Sequence, residues 1–504
     1  MRRDESRNVV RGLPIWLLEG TGGVRATSQA LSGRLSRALP WLLILLAAGF
    51  IGGIVSGEAD LWLGHQSALL VLALLLGAAV SIIFASLGSS ALVAWPPLAV
   101  AGYLLLRYPR DHPVITFDRV WVVGLLAYIL LAPRSVAAAA TSRFMKVWLG
   151  TFIAAFGIRA VATSTTLSGP IRTWIDGIVL PGIVFVAASR YATTRERTQR
   201  FAASLMIAGG LLGALGLAER VMGFELASLA GGERRYDEVI GATRISGPYS
   251  VPETYALTLV ICLAATLYWL QSRGRGPYIW GLLIAGLEVG GIAFSYFRAA
   301  WIAALLVAIG SIGIRPRRFR RTLAVTVVVG SLAFAATTQL AHHNRAFEAR
   351  TNNTYNIYGR LATYDQGIQF FKSAPFVGVG VDQYSTVVAE HPPAVYHGVR
   401  SVTSPHSSFI AVLAEQGLFG FVPLVILSGG IWLVIRRLRR VASTSEEGVL
   451  AGSMAGAAAG YLIMSLTLTM LPYEPSNAFF AALLGVTVGR LDIRSAETRM
   501  APAE

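Results

Sequence analysis

Apolar runs of about 15–25 residues recur along the whole chain, at roughly 40–56, 67–86, 91–106, 119–133, 145–162, 174–190, 201–222, 251–270, 278–295, 299–314, 321–341, 409–435, 449–471 and 475–489. An α-helix needs about 20 apolar residues to cross the hydrocarbon of a bilayer, and a segment in lipid must satisfy its backbone polar groups internally. The repeated runs therefore confine the chain to an all-α fold, a polytopic transmembrane helical bundle of about 12–14 helices. Composition agrees: 54% of the 504 residues are hydrophobic and 14% are charged, too apolar a balance for a soluble domain. The one cysteine, Cys262, lies inside an apolar run, which excludes an intrachain disulfide and a thiolate metal cluster.

A formal net charge of +16 would suit a nucleic-acid partner if the charge were gathered in one place. It is dispersed by loop instead. About 14 spans put both ends on one side, where the tails and alternate loops carry about 28 of the 43 basic residues with about 9 acids; the other side holds about 15 basic residues and 17 acids. That asymmetry is the positive-inside pattern, which sets orientation and implies no nucleic acid. It expects both termini in the cytoplasm. Residues 1–38, with seven arginines, form too long and too basic a lead for a cleaved signal peptide and are expected as a cytoplasmic tail before a retained anchor. All seven histidines fall on the outer side.

Polar groups near the spans are the candidates for chemistry. Pro96 and Pro97 sit within a span, where a packing kink or a broken helix is expected. In the outer loop 223–251, Arg244 precedes a Gly-Pro turn and the next span; it is either solvated surface or a phosphate ligand. Arg298 stands in a tight outer turn, Phe294 through Trp301, with apolar sequence on both sides. Its fork matches phosphate oxygens bidentately, and the competing role is an interfacial anchor aided by Trp301. Glu288 lies ten residues earlier, ~15 Å along a helix and hence near mid-membrane, as a structural hydrogen-bond partner or part of a proton path.

Residues 341–404 form one long extramembrane segment, too small for an ordinary independent domain and so expected to pack on the membrane part. Within it, 359–373 should be a helix with Leu361, Tyr364, Ile368 and Phe371 on its inward face, stopped at Ala374-Pro375. Phe376 through Asp382 follows as a glycine-rich turn. His342, His343, His391 and His397 lack the spacing of a specific zinc site. The chain re-enters the membrane at Pro405-His406-Ser407-Ser408, with Glu415-Gln416-Gly417 just inside the 409–435 run. An imidazole there is suited to proton transfer at a membrane surface, and equally to capping a helix end.

Four pieces in order, Arg244-Ile245-Ser246-Gly247, Ser295-Tyr296-Phe297-Arg298, Arg360 through the Pro375-Phe376-Val377-Gly378-Val379-Gly380 turn, and His406 through Glu415-Gln416-Gly417, together resemble the O-antigen ligase and polymerase family of bacterial envelope glycosyltransferases. The resemblance covers approximately residues 244–421; the two residues between Ser295 and Arg298, and the number of spans, depart from the family pattern. It implies a glycosyltransferase-C-like bundle in the cytoplasmic membrane that moves a glycan from an undecaprenyl-diphosphate carrier to a hydroxyl acceptor on the outer face, without nucleotide, metal or other cofactor. His406 would act as general base, Arg298, Arg244 and Arg360 would bind the diphosphate, and Glu415 and Asp382 would support them.

The order of the long loop and the histidine re-entry near the C-terminus favours a ligase, with lipid A–core sugar as acceptor. A polymerase, with a growing lipid-linked chain as acceptor, is the alternative. A transporter or flippase of lipid-linked sugars would spread polar groups through the membrane depth; the sequence offers one mid-membrane acid and a cluster on the outer face. The expected organisation is a basic tail at 1–38, a transmembrane scaffold at 39–222, helices with outer-face arginines at 223–341, an extracytoplasmic loop at 342–408, C-terminal transmembrane helices at 409–489 and a tail at 490–504.

Overall fold

The computed structural model describes residues 90–108, 115–131, 139–164, 169–224, 226, 236–237, 242–272, 278–312 and 355–500. The basic tail, the runs at 40–56, 67–86 and 321–341, and His342 and His343 lie outside the described residues. Every expected apolar run within them is a helix: α1 (Ser90–Leu105), α2 (Phe117–Leu131), α3 (Ala140–Thr163), α4 (Pro170–Tyr191, with a π turn at Ile175–Val179), α5 (Arg195–Met222), α6 (Pro252–Ser272), α7 (Tyr278–Phe294), α8 (Arg298–Ile312), α11 (Ser408–Val441), α12 (Ser445–Thr467) and α13 (Glu474–Met500). In the extramembrane segment stand α9 (Tyr355–Ser373) and α10 (Tyr384–Glu390). Among the described residues six helices are long and apolar enough to cross a membrane, and the chain is an all-α polytopic membrane protein.

Helix boundaries follow local chemistry. Thr194 caps α5 by accepting the N–H of Arg197 at 3.2 Å, and Gly223, at φ 71°, ends that helix. At α12, Thr444 accepts the N–H of Glu447 while the Glu447 carboxylate accepts that of Ser443, so two donors that lack helical partners are satisfied together. Pro96 and Pro97 are both accommodated inside α1.

The core is centred on α6, which is buried along nearly its whole length by α5, α7, α8, α12 and α13. Helices approach most closely where side chains are smallest. Between α8 and α12, a Cβ on Gly456 would meet the backbone of Val307 at 2.5 Å, so only a glycine permits that crossing. Glu288 on α7 is fully buried, accepts a hydrogen bond from Thr266 of α6 at 2.9 Å, and fills the notch above Gly209 of α5. Its setting is a closed three-helix contact, which makes it an interhelical hydrogen-bond partner.

A network of ion pairs ties the helix ends together at one end of the bundle. Glu446 joins Arg195, Gln199 and Tyr268; Glu447 joins Arg490 and Arg494; Asp492 joins Lys146 and the N–H of Ala139. These are the loops expected on the basic side. The histidine- and glycine-bearing loops gather at the opposite end, where α9 and α10 pack on the start of α11 through Phe370, Tyr384, Val388 and Ala414. The segment thus shares its core with the membrane part, as expected of so short a stretch.

The inward face of α9 differs from the expected one. Leu361 and Ile368 are exposed, and Ala362, Thr363, Gln366, Gly367 and Phe370 are buried. The polar members are inside because they are satisfied there: the Thr363 hydroxyl accepts the N–H of Val402 at 3.0 Å and the Gln366 side-chain oxygen accepts that of Ala394 at 2.6 Å. Gly367 lets Ile410 of α11 approach closely.

Candidate functional site

The 409–435 run was expected as one continuous span, and α11 instead breaks at Gly417 (φ 60°, ψ −154°). The break receives the glycine-rich turn. Val379 and Gly380 donate to the carbonyls of Ala414 and Glu415 at 2.9 Å each, and Leu418 and Phe419 donate to those of Pro375 and Phe376 at 2.9 and 3.0 Å. Four backbone bonds therefore bridge the turn to both sides of the helix break and satisfy groups that the break would otherwise orphan. The buried Glu415 carboxylate accepts the N–H of Tyr384 at 3.2 Å, which ties α10 to the same point. Asp382, at φ 59°, follows the turn, and burial pushes its carboxyl above the usual range.

The short helix ahead of the break fixes the histidine. Ser407 caps α11 by accepting the N–H of Ile410 at 3.4 Å, and Ser408 links to α12–α13 by donating to the Leu468 carbonyl at 3.1 Å and accepting the N–H of Met470 at 2.8 Å. His406, immediately outside that cap, is half-buried and held at φ 46°. Tyr296, Asp382 and His397 are the other non-glycine residues with positive φ among the described ones, and all four lie in loops at this end. Backbone strain of this kind, about 1–3 kcal/mol per residue, persists where surrounding structure enforces it.

Arg360 and Tyr364 are one turn apart on α9. The Tyr364 hydroxyl lies 3.4 Å from the His406 carbonyl and 2.5 Å from that of Leu466, so it aligns α9 with the histidine loop. Burial lowers the His406 pKa below its ordinary value, the Arg360 guanidinium lowers it further, and the Glu253 carboxylate opposes both. Arg298, first residue of α8, is exposed and lies within repulsive reach of Arg360. Neither arginine is ion-paired with a described acid. Two guanidiniums with no ion pair to a described acid, one of them in electrostatic reach of an imidazole, make this end of the bundle a candidate anion site.

Arg244 is placed differently. Its Nη1 lies 2.8 Å from Oε1 of Glu253, its Nε donates to the Ser295 carbonyl at 3.1 Å, and its Nη2 is buried without a partner. It therefore links the Gly-Pro turn, the first turn of α6 and the α7–α8 turn, with one nitrogen left to offer. The α7–α8 turn is itself pinned by Ser295, whose hydroxyl donates to the Ile292 carbonyl at 2.7 Å and accepts the N–H of Phe297 at 3.2 Å.

Residues far apart in sequence are thus brought to one end of the bundle, with Arg360 in electrostatic reach of both Arg298 and His406, and Arg244 joined to His406 through Glu253. Glu415 holds the turn from one layer away, and Asp382 ends that turn with its carboxyl outside these bonds. Glu253 is the residue that sequence reasoning missed; the available signal was an acid in the first turn of a span, directly after an arginine-bearing loop. The amide of Gln416 is also unanticipated, fully buried with both polar ends unpartnered.

Residues 280–425 match the family model described as O-Antigen ligase. That stretch runs from α7 to the first part of α11 and contains Arg298, Arg360, Gly378, His406 and Gly417; Arg244 and Glu253 precede it. No curated protein matches the chain. The protein is a polytopic helical membrane protein, and the match over residues 280–425 supports its assignment to the O-antigen ligase and polymerase family.

Proposed function

We propose that this protein is a ligase-type glycosyltransferase that moves a glycan from an undecaprenyl-diphosphate carrier to a hydroxyl of a glycan or lipid A–core acceptor. The reaction occurs at the outer face of the cytoplasmic membrane, with both termini inside. The observation that carries this reading is a pair of guanidiniums, Arg298 and Arg360, that meet no acid among the described residues, with Arg360 in reach of a half-buried imidazole. A diphosphate held there relieves their mutual repulsion and gives each fork the planar, doubly accepting partner it matches.

The chemistry then follows from the placement of His406. Burial and Arg360 keep its ring neutral near pH 7, so it can accept a proton. The acceptor oxygen bonds to the anomeric carbon as its proton passes to the imidazole. The bond from that carbon to the diphosphate oxygen breaks, and its electron pair stays on the diphosphate. Arg298 and Arg360, with the free Nη2 of Arg244, neutralise the charge that develops on this leaving group, which preorganised donors do without reorganisation in the transition state. Polymerase chemistry uses the same donor and differs in the acceptor.

Substitution of His406 tests the reading. His406→Gln retains size and hydrogen bonding but accepts no proton, so the purified variant should insert, bind lipid-linked donor and lose transfer by ~10²-fold or more. Near wild-type transfer by His406→Gln would show the assignment to be wrong. In a deletion strain, accumulation of carrier-linked polymer marks a ligase, and loss of polymer with persistence of single repeats marks a polymerase.

A further inference from the structure

A polar hollow lies at the same end of the bundle, and its lining does not include His406, Arg298, Arg360 or Arg244. Its volume is about 310 Å³, whereas a single water needs only ~10–15 Å³. The rings of Tyr103, near the end of α1, and Phe117, at the start of α2, line one part; Asp118, Arg172, Thr173 and Glu474 line another. Asp176 and Asp382 also face it. The lining thus combines aromatic rings, a hydroxyl, a guanidinium and four carboxyls contributed by α2, α4, the glycine-rich loop and α13.

The charges there are only partly matched from within. Asp176 is held by the fork of Arg119 at 2.8 and 2.6 Å, and Asp118 accepts the indole N–H of Trp95 at 3.1 Å. The Asp382 carboxylate makes no hydrogen bond or ion pair with another described residue, and Oε1 of Glu474 is buried without a partner. A buried, unsatisfied oxygen beside an exposed, unpaired carboxylate at a hollow of this size calls for a ligand that brings hydrogen-bond donors. A metal ion is not that ligand, because no group of three or more His, Cys, Asp or Glu among the described residues is arranged to hold one.

Saccharides fit the chemistry. Asp382 and Glu474 can accept from adjacent hydroxyls, Thr173 and the nitrogens of Arg172 not turned to Asp176 can donate to ring or hydroxyl oxygens, and an aromatic ring can pack against a sugar's C–H face. The hollow is also joined to the transfer site on two sides. Tyr103 packs edge-on against Tyr249 at 4.9 Å, at the end of the turn that Arg244 begins, and Asp382 ends the loop docked on α11. We propose that this hollow is a saccharide-binding subsite that holds a neutral or amino sugar of the acceptor or donor glycan next to the His406 cluster. Its use during transfer rests on the proposed function; its capacity to bind a sugar does not. The excess of carboxyls over guanidiniums selects against uronic sugars.

Saturation-transfer difference NMR on the full chain in nanodiscs tests this, with methyl α-mannoside, glucosamine and glucuronic acid as probes. The first two should show transfer that is abolished by Thr173→Trp, which fills the hollow, and weakened about tenfold by the size-preserving Glu474→Gln. His406→Gln should leave both signals unchanged, so that failure of the catalytic reading is separate from failure of this one. Absence of signal from the wild-type chain, signals that survive both substitutions, or preferential binding of glucuronic acid would overturn the subsite. In a transfer assay, a KM raised for the acceptor alone assigns the hollow to the acceptor glycan, and one raised for the donor alone assigns it to the donor. Unchanged KM values for both in Glu474→Gln would overturn its role in transfer.

Discussion

Gly378 and Gly417 lie at the crossing of two backbones: a Cβ on Gly378 would stand 2.2 Å from the carbonyl carbon of Glu415, and one on Gly417 2.5 Å from that of Phe376. Both also have φ between 60° and 65°. Either requirement alone favours glycine, and together they explain why a Gly-x-Gly turn and a Glu-x-Gly helix break occur in one chain. Gly417→Ala should destabilise the protein by about 2–4 kcal/mol through strain and overpacking. Gly429, further along α11 with open space around it, is the control, and Gly429→Ala should leave the thermal unfolding midpoint unchanged or raise it.

The depressed pKa of His406 sets a pH dependence. Transfer should hold near neutrality and fall as pH drops below about 6.5, because the ring is protonated only below its ordinary pKa. Arg360→Met removes a group that lowers this pKa, so the acidic limb of kcat/KM should move to higher pH; Glu253→Gln removes a group that raises it, so the limb should move lower. Rate profiles of the two variants displaced in the same direction would refute the arrangement.

Stability should respond with the same sign. A histidine whose folded pKa lies below its unfolded value binds fewer protons when folded, so its contribution is present above the unfolded pKa and is lost as pH falls through that value toward the folded one. Denaturation midpoints between pH 7 and pH 5 should therefore drop more steeply for the wild type than for His406→Gln, once other groups are cancelled by taking the difference.

Arg298 offers a planar fork with no acidic partner among the described residues. Arg298→Lys preserves the charge and loses the bidentate geometry, and should impair transfer by roughly tenfold, the scale of one charge-assisted hydrogen bond. Arg298→Ala should be worse, with donor binding measured directly as the readout. Full activity in Arg298→Ala would make this residue a lipid anchor.

Gln416 is fully buried with neither end of its amide hydrogen-bonded. Gln416→Met keeps the shape and removes the unsatisfied groups, so it should leave the unfolding free energy unchanged or raise it by up to about 1–3 kcal/mol. A marked loss of transfer in a stable Gln416→Met variant would show that the amide serves the site.

Which parts of this protein were legible in its sequence follows from the range of the forces involved. A bilayer requires each spanning segment to be apolar over a fixed length and to close its own hydrogen bonds, so the helices from α1 to α13 that cross it were readable one at a time. The end of α9 at Pro375 was readable too, because proline acts within a turn. The inward face of α9 was misread: Leu361 and Ile368 look inward by periodicity, yet the burial of Thr363 and Gln366 depends on Val402 and Ala394, residues about 30 to 40 positions later. The motifs around Gly378 and Gly417 stood out separately, whereas their interlock, and the break it requires in α11, exist only when the two backbones meet. Glu253 was silent in the sequence because its meaning comes from Arg244 at 2.8 Å and from the field it places on His406. Local patterning determined which segments are apolar enough to lie in the membrane; only tertiary packing decided which charges meet a partner among the described residues, because each pairing joins residues far apart in sequence.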